Sequence, residues 1–424
     1  MKIPRKFRQR ILTWGAIFLL AIAGVAGDRS LSANDRTAIF SQVWQTVDRE
    51  FFDPKFNGVD WPAMKEQYGS VAAKARSREE FAVTVNEMLS RLRTSHTSFY
   101  IPEDPRYYQL LAIFAAIDRD LQQPLQTWFP NGKIEYTGIG IFTEQIGEKT
   151  FVSGVLDGSP AERAGLLVGD RLLSVNGKPY HPIESFRGKA GRELTLTIER
   201  EPGQERTLPI TPKVFDAGRM FEEAMSKSVE VIERDSKKIG YIHIWSYAGE
   251  QYQRILEQEL LSGRLRNADA LVLDLRGGWG GAPLTALNIF TASPLSFTAI
   301  PRNGRSYVNS ATWTRPVIML VDEKSRSSKE ILAHAFREKK IGPVIGDRTP
   351  GAVVGGRAFL MADGSLLYVA VVDVYVNGNT RLEGKGVTPD IGVPFDLPYA
   401  RGADPRKERA IEEAFNVIAA FKSN

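Results

Sequence analysis

The chain has 424 residues, 43% hydrophobic and 25% charged, a composition typical of a globular protein with two or three domains. Five of its 55 basic residues precede the first acid, Asp28, so 50 basic residues remain against 50 acidic ones and the neutral body gives no electrostatic case for nucleic-acid binding. The absence of cysteine excludes disulfides and a cysteine nucleophile, and the four histidines lack zinc-motif spacing, so we expect no metal or organic cofactor.

The N-terminus predicts export. The five basic residues lead into the apolar stretch ILTWGAIFLLAIAGVAG, residues 11–27. A basic start, an apolar run and a small-residue end are the parts of a secretory signal peptide, with cleavage expected near Gly24-Val25-Ala26. Because the run is also close to the length of a membrane span, an uncleaved anchor is the alternative. We therefore predict a periplasmic, lumenal or extracellular protein in which residues 1–27 are a signal peptide or an N-terminal anchor.

Residues 34–130 are predicted to form a helical region. Apolar residues recur at helical spacing in AIFSQVWQTVDREFF and REEFAVTVNEMLSRL, and a third amphipathic stretch, YYQLLAIFAAIDRDLQQ, follows. The second helix is expected to end at RTSHTSFY, which contains Ser95 and His96. On these residues alone, His96 is interpreted as a structural histidine at the end of that helix.

Residues 134–213 predict a small β domain. Strands are expected in YTGIGIF, KTFVSGVL, ELTLTIERE and ERTLPITPK. Ser159 is placed to cap a short helix that has Pro160 in its first turn, and Asn176-Gly177 predicts a tight hairpin turn. From the residues alone, a purely structural role for this domain is an open alternative.

This segment resembles a PDZ domain. The run Gly138-Ile139-Gly140-Ile141 matches the carboxylate-binding loop of that family, and GSPAERAGLLVGDRLLSVNG matches a more specific part of its pattern. The resemblance implies that backbone N–H groups of the loop hold the terminal carboxylate of a peptide while the neighbouring strand edge pairs with it.

Residues 225–400 predict an α/β core, and residues 401–424 a C-terminal helix. Near-continuous apolar strands alternate with helices, which indicates a covered, partly parallel sheet. Strands are expected in IGYIHIWSY, ALVLDLRGG, PVIMLVDE, PVIGDRT and SLLYVAVVDVYV, and helices around QYQRILEQELL, from Pro283 and after Ser327. The fold class is therefore multidomain α/β. In such sheets, sites lie at the carboxyl ends of strands, where LDLRGGWGGAP and VDEKSRSSKEI occur.

These two turns admit structural and functional interpretations. Ser327 followed by Glu330 is the pattern of a capping box, which is a structural role. A serine at a strand-to-helix turn also lies beside free N–H groups and the positive helix end, which stabilise an oxyanion. The glycine-rich turn lacks both a GxGxxG pattern and a Walker lysine, so we interpret it as a second source of oxyanion donors.

Six motifs in order resemble the C-terminal processing peptidases, or tail-specific proteases. They span about residues 38–393 and read RTSHTSF, GSPAERAGLLVGD, DLRGGWGG, SRSSKEI, GDRTPG and GKGVTPD. Matching the family's glutamate to Glu330 makes Ser327 the implied nucleophile. The resemblance also implies an oxyanion donor at Ser328, with a second at Gly280 or Gly281.

The chain departs from this family at the catalytic lysine. The family's T-x-G-K reads here as Thr349-Pro350-Gly351-Ala352, while Lys385 belongs to the later GKGVTPD motif. A related tricorn-like branch uses histidine instead, and its pattern implies His96 as general base, with Glu383 orienting it directly or through Ser95. Those roles supply the base and the orienting acceptor that a serine nucleophile needs. We expect the other histidines to be structural; these are His181, His243 and His334.

The resemblance thus implies an exported serine endopeptidase whose protein or peptide substrates are recruited by their exposed C-termini. One alternative is a degenerate peptidase that acts as a PDZ scaffold, which the missing lysine supports. Another is a carrier of apolar ligands in which the strand YVAVVDVYV lines a pocket. Three cations near Ser327 are interpreted as a solvated rim, with a preference for acidic substrates as the alternative; these are Lys324, Arg326 and Lys329.

Overall fold

The structure, a computed structural model, describes residues 32–291, 296–300, 302, 307–310 and 312–421. The predicted signal or anchor segment, residues 1–27, lies outside the described residues. Within the described ranges, no helix combines the length and the apolar character needed to cross a membrane.

Helices and strands alternate along the chain with bounds close to those that the sequence predicts. The α-helices of the described residues are α1 Ala33–Glu50, α2 Trp61–Ala73, α3 Arg78–Ser90, α4 Pro105–Ala115, α5 Gln122–Trp128, α6 Pro160–Arg163, α7 Met220–Ser228, α8 Glu250–Leu261, α9 Asn288–Thr291, α10 Ser328–Glu338 and α11 Pro405–Phe421. The strands are β1 Ser98–Tyr100, β2 Glu135–Gly138, β3 Ile141–Ile146, β4 Lys149–Val155, β5 Arg171–Val175, β6 Lys178–Pro179, β7 Leu194–Glu201, β8 Gln204–Ile210, β9 Lys213–Asp216, β10 Glu230–Arg234, β11 Lys237–His243, β12 Ala270–Asp274, β13 Ser296–Ala299, β14 Tyr307–Ser310, β15 Val317–Val321, β16 Val344–Gly346, β17 Gly355–Leu360, β18 Leu366–Val372 and β19 Ile391–Gly392.

The N-terminal helices share one apolar core. A capping box formed by Ser32 and Asp35 starts α1, and the apolar stripes of α1, α2 and α3 bury a common set of side chains that includes Val43, Trp61 and Phe81. The third amphipathic stretch is not one helix, because α4 ends at Ala115 and a short 3-10 turn precedes α5. Asp118 accepts a hydrogen bond from the Asp120 amide there and so caps the new turn.

The inserted domain contains an antiparallel sheet. Its strand order is β3-β4-β5-β7-β8, with β6 on β5, while β2 and β9 form a separate ribbon. The predicted single strand YTGIGIF is divided into β2 and β3, because Gly140 has a φ of 80° and turns the chain between them. Ser159 caps α6 and Asn176-Gly177 makes a turn with positive φ at both residues, as predicted. Strand β3 is an edge of this sheet.

The core is the predicted partly parallel sheet. In the order β10-β11-β12-β15-β16-β19, every pair is parallel except β10 with β11. Helix α11 packs Ala410, Ala414 and Ile418 on one face, which buries the apolar strands. The predicted start of a helix at Pro283 is wrong, because residues 284–287 form turns and α9 begins only at Asn288.

The strand predicted in SLLYVAVVDVYV belongs to a different sheet. Strand β18 pairs with β17 and with β1, in the order β1-β18-β17, with Ser98 opposite Tyr368. It is buried on both faces, since Leu367 and Val369 pack with the N-terminal helices while Leu366 packs with the core cluster. This strand therefore joins the helical region to the core as a buried strand.

Candidate active site

Ser327 stands at a strained turn between β15 and α10. Its backbone has a φ of 61° and a ψ of −133°, a conformation that is costly for a residue with a side chain. Its amide donates to the Ala352 carbonyl over 2.7 Å, and its hydroxyl makes no cap hydrogen bond. The predicted capping box is therefore wrong. The Glu330 carboxylate instead accepts from the Thr349 hydroxyl and from the amides of Gly351 and Ala352.

The glycine-rich turn lies directly against Ser327. A Cβ atom at Gly280 would lie 2.5 Å from the Ser327 Cβ and 3.2 Å from its Oγ, so only glycine permits this approach. Gly281 has a φ of 100° and packs on Ala248. In the described part of the chain, no acceptor pairs with the amides of Ser328 or Gly280. Two backbone donors near the serine hydroxyl are thus available to an oxyanion.

Residues 322–329 contain the predicted nucleophile, and we call them the nucleophile segment. They hold this turn in place through buried polar groups. The Lys329 Nζ donates to the Gly277 carbonyl over 2.9 Å and to the Trp245 carbonyl over 3.3 Å. The Asp322 carboxylate accepts from the Gly277 amide over 3.1 Å. The Ser325 Oγ lies 3.0 Å from the Leu275 carbonyl oxygen. We call this group of contacts the turn clamp, formed by Asp322, Ser325 and Lys329.

Lys329 is the member of the clamp that the sequence did not reveal. It was expected to lie in a solvated rim, but it is fully buried. Burial is the main cause that lowers the pKa of Lys329; Asp322 and Asp274 raise it, the charge of Arg326 lowers it, and the pKa is about 7. Its position in the polar first turn of α10 gave no local signal of burial, because the carbonyl groups that it contacts come from distant parts of the chain.

Ser95, His96 and Glu383 form a hydrogen-bonded chain. The Ser95 Oγ lies 2.9 Å from the His96 Nδ1 and 2.9 Å from Glu383 Oε2, and the Ser95 amide donates to Glu383 Oε1 over 2.8 Å. An ionised carboxylate only accepts, so the single hydroxyl proton of Ser95 goes to Glu383 and the His96 Nδ1–H donates to Ser95. That assignment leaves the His96 Nε2 unprotonated, which is the form that a base requires.

Burial and neighbouring charges set the ionisation of this chain. Burial raises the pKa of Glu383, but hydrogen bonds from the amides of Ser95, Val353 and Val354 outweigh it and hold that pKa below its usual value. Burial is the main cause that lowers the pKa of His96, the charge of Arg326 also lowers it and Glu383 opposes both, so that the pKa is about 4. His96 is therefore neutral at neutral pH.

His96 is brought to the core but is not hydrogen-bonded to Ser327. It lies two residues before β1, whose pairing with β18 fixes this part of the helical region on the core, and its ring centroid is 5.2 Å from that of Tyr368. In the described ranges no hydrogen bond joins His96 to Ser327. Two charges of the core act on His96, those of Glu383 and of Arg326, the residue before Ser327.

The segment that lacks the family's lysine links the two halves of the site. The Ala352 carbonyl accepts a hydrogen bond from the Ser327 amide, and the Ala352 amide donates to Glu330 over 2.6 Å. The next two amides, of Val353 and Val354, donate to Glu383 Oε2 over 2.6 and 3.1 Å. Residues 349–354 therefore connect the serine side to the carboxylate that holds Ser95. We call them the connecting segment.

The remaining candidates lie in other surroundings. Lys385 is exposed, and its carbonyl accepts from the Arg348 guanidinium. His181 is exposed in the inserted domain, and His243 is buried with its ring stacked on Trp245 at 3.8 Å. His334 pairs with Glu338 over 3.3 Å along α10.

The predicted carboxylate loop of the inserted domain joins β2 to β3. Gly140 packs against Ser159 so closely that a Cβ atom there would lie 2.5 Å from the Ser159 Cβ. Edge strand β3 contacts the core: Glu144 pairs with Lys324 over 2.5 Å, and the Phe142 and Trp245 rings stack at 5.5 Å. The edge that would receive a peptide thus lies beside the nucleophile segment.

A serine at a strand-to-helix turn, a glycine-rich turn against it and an inserted PDZ fold are together the features of an α/β serine peptidase. Residues 238–393 match the model of peptidase family S41, residues 151–200 match that of the PDZ domain, and residues 32–90 match that of the tricorn protease C1 domain. The chain is thus similar to peptidase family S41 over residues 238–393, and its similarities extend to both the C-terminal processing and the tricorn-like proteases.

Its relatives include both of those groups. A tricorn protease homolog of Streptomyces coelicolor is 27% identical over 89% of this chain, which spans only 32% of that protein's length. Carboxyl-terminal-processing proteases of Picosynechococcus and Synechocystis are each 24% identical, over 93% and 88% of this chain and over 92% and 88% of their own.

Solved structures share the fold. The photosystem II D1 C-terminal processing protease matches with a TM-score of 0.50 at 22% identity, over 87% of this chain and 98% of that one. The tricorn protease matches with a TM-score of 0.53 at 18% identity, over 91% of this chain and 37% of that one.

Proposed function

We propose that this protein is an exported serine endopeptidase of the C-terminal processing type that uses a histidine base. Ser327 is the nucleophile, His96 the general base and acid, and Glu383 orients His96 through Ser95. The amides of Ser328 and Gly280, with Gly281 beside it, hold the oxyanion. The observation that carries the proposal is the Glu383–Ser95–His96 chain next to the nucleophile segment, in a sequence with Ala352 at the position of the usual lysine.

The reaction is acyl transfer in two steps. The Ser327 Oγ attacks the peptide carbonyl carbon while its proton passes to the His96 Nε2, and the carbonyl oxygen becomes an oxyanion held by the backbone amides. The imidazolium then gives that proton to the leaving amine, and the C–N bond breaks to leave an acyl ester on Ser327. His96 next deprotonates a water molecule, which hydrolyses the ester and restores the serine hydroxyl.

Catalysis requires His96 and Ser327 to form a hydrogen bond that is absent from this structure. Catalytic hydrogen bonds are often long in substrate-free enzymes and tighten when substrate binds. We infer that substrate binding brings His96 and Ser327 into contact across the junction formed by β1, β18 and the connecting segment.

The substrates are proteins or peptides with exposed C-termini. Loop residues 138–141 supply backbone donors for a terminal carboxylate, and the free edge of β3 supplies a strand partner. Residues 1–27 direct the protein out of the cytoplasm, either as a cleaved signal or as an anchor in the membrane.

A comparison of four proteins tests the catalytic proposal. Wild type, Ser327→Ala, His96→Ala and the control His334→Ala are incubated with unstructured polypeptides that have apolar C-termini, and fragments are followed by mass spectrometry. We expect cleavage by wild type and His334→Ala, none by Ser327→Ala, and a loss of about 10²- to 10⁴-fold for His96→Ala. Equal cleavage by wild type and Ser327→Ala would sink the proposal.

A non-catalytic PDZ scaffold is the second candidate, favoured by Ala352 and by the missing bond between His96 and Ser327. It predicts that all four proteins bind the polypeptides with the same affinity and that none cleaves them. Binding measured by fluorescence anisotropy, alongside the cleavage experiment, separates the two candidates.

A further inference from the structure

Three cations surround Ser327, and two of them already have partners. The Lys324 ammonium pairs with Glu144 of the PDZ domain over 2.5 Å. The Lys329 ammonium is buried in the turn clamp, where it donates to two carbonyl groups. Both ammonium groups are therefore already engaged in contacts within the protein. The third cation, Arg326, lies between Ser325 and Ser327 and is in a different situation.

The Arg326 guanidinium rests on an aromatic platform beside the nucleophile. It lies 5.3 Å from the centre of the Trp279 ring. Trp279 is part of the glycine-rich turn, one residue from Gly280, and it is fixed at both ends. Its amide donates to the Trp245 carbonyl over 2.8 Å, and its Nε1 donates to Gln109 over 2.9 Å. The platform therefore holds the guanidinium at the turn that contacts Ser327.

This guanidinium has no anionic partner within the part of the chain that the structure describes, although it is half-buried. The nearby Glu383 carboxylate is occupied by the hydroxyl of Ser95 and by the amides of Ser95, Val353 and Val354. An arginine presents up to five N–H donors in a planar fork that fits a carboxylate in two-pronged fashion. A guanidinium without an acceptor, held beside Ser327, can bind the carboxylate of a ligand.

We propose that Arg326 is a substrate-binding residue that pairs with a carboxylate of the peptide next to the scissile bond. The carboxylate is that of an acidic side chain or of the peptide C-terminus. The inference rests on the proposed function, because it places the substrate against Ser327. It assigns a second carboxylate contact besides the PDZ loop, and it makes acidic or C-terminal segments the preferred substrates.

A consequence for the base follows from the same geometry. Arg326 lowers the pKa of His96, after the larger effect of burial. A bound carboxylate neutralises that charge, so the pKa of His96 moves back towards its ordinary value and the imidazole becomes a stronger base. The preferred substrate would thereby assist its own cleavage.

Matched peptides and variants test the inference. The scissile bond is first mapped in an unstructured polypeptide, and two pairs of peptides are made around it. One pair carries Glu or Gln beside the bond, and the other ends in a carboxylate or an amide. Each is cleaved by wild type, Arg326→Gln, Arg326→Lys and Arg254→Gln, a control that removes an exposed arginine from α8. Thermal melting checks that each variant is folded.

We expect wild type and Arg254→Gln to prefer the charged member of at least one pair by about tenfold or more in kcat/KM, the value of one charge-assisted pair. Arg326→Gln should cleave both members at nearly equal rates, and Arg326→Lys should retain part of the preference because it keeps the charge but not the fork. On the neutral peptides, Arg326→Gln should move the acid limb of the pH profile to higher pH.

Two results would overturn the inference. One is a wild type that does not distinguish either pair, and the other is a preference that persists undiminished in Arg326→Gln. For the pair that differs at the terminus, such persistence would assign the carboxylate contact to the PDZ loop alone. Both results differ from a failure of the proposed function. That failure would be seen separately, as cleavage by Ser327→Ala at the wild-type rate. If Arg326→Gln does not fold, Arg326→Lys and the pH profile of the wild type on the two peptide pairs decide the question.

Discussion

The serine half and the histidine half of the site are built in different ways. Ser327, its glycine-rich turn and the turn clamp all come from the α/β core, and buried contacts hold them on every side. Ser95 and His96 come from the helical region and reach the core through the pairing of β1 with β18 and through Glu383. The serine half is thus fixed within one domain, whereas the position of the base depends on how two regions meet.

Glu383 is the carboxylate that links Ser95 to the connecting segment, so its replacement should have the largest effect. Glu383→Gln keeps the side-chain volume, but its amide N–H₂ can donate to Ser95, which removes the acceptor that orients the Ser95 hydroxyl and the His96 proton. We expect kcat/KM to fall about 10²- to 10⁴-fold. Glu338→Gln, on the exposed side of α10, is the matched control. Wild-type activity in Glu383→Gln would show that the halves do not meet through this carboxylate.

The turn clamp tests the serine half alone. Lys329→Met removes the two hydrogen bonds to Gly277 and Trp245 while filling the same space, so the oxyanion donors lose part of their support. We expect kcat to fall about tenfold or more with KM little changed, since the donors act mainly in the transition state. Affinity for a peptide boronate, which forms a tetrahedral adduct, should fall in parallel. A change confined to KM would instead assign Lys329 to substrate binding. Lys339→Met, exposed at the end of α10, is the control.

The same lysine predicts how stability changes with pH. Its folded pKa is about 7, below the ordinary value of 10.5, so between these values the unfolded chain binds a proton that the folded one does not. The free energy of unfolding should therefore rise with pH from about 7 towards 10.5. Urea unfolding of wild type and Lys329→Met across this range isolates the effect, because only the wild type carries it. Parallel curves for the two proteins would contradict the assignment of Lys329 as a buried, titrating group.

The histidine half has its own pH signature. The pKa of His96 is about 4, so His96 stays unprotonated through the mildly acidic range. We therefore expect kcat/KM on a neutral peptide to stay constant well below pH 6.5. Because the folded pKa is lower than the unfolded one, stability should also decline as pH falls from 6.5 towards 4. An acid limb of activity near pH 6.5 would mean that His96 is neither buried nor influenced by Arg326 during catalysis.

The sequence predicted what depends on local pattern and missed what depends on distant partners. Helical spacing located α1 and α3, and apolar runs located the parallel strands. The sheet that contains β18 was not foreseen, because its partner β1 lies more than 250 residues away in the chain. The capping box failed for the same reason. Glu330 has the right spacing from Ser327, but Thr349, Gly351 and Ala352 offer it stronger buried contacts.

In the site itself, motif order nominated Ser327, His96, Ser95 and Glu383, and the structure brings the last three into one hydrogen-bonded chain. The burial of Lys329 and the unpaired position of Arg326 could not be foreseen. The sequence shows three similar cations within six residues, while the structure gives each a different environment. Charge alone does not distinguish them, because the distinction lies in which carbonyl, carboxylate or ring faces each side chain.

The smallest expected effect concerns the contact between the PDZ domain and the serine half. The Glu144–Lys324 pair is partly exposed, and such pairs contribute about 0–1 kcal/mol. Glu144→Gln should therefore change kcat/KM less than about fivefold, and less at high salt, where screening already weakens the pair.

The sign of this change in kcat/KM is informative. If the pair holds β3 in the productive position for a recruited peptide, activity falls in Glu144→Gln; if it competes with the peptide for that edge, activity rises. Lys324→Gln should reproduce the effect, and the double variant should show no further change, because both substitutions break one contact. Additive changes would mean that the two side chains act separately, and that the PDZ domain acts on the nucleophile segment through other contacts, such as the Phe142–Trp245 stack.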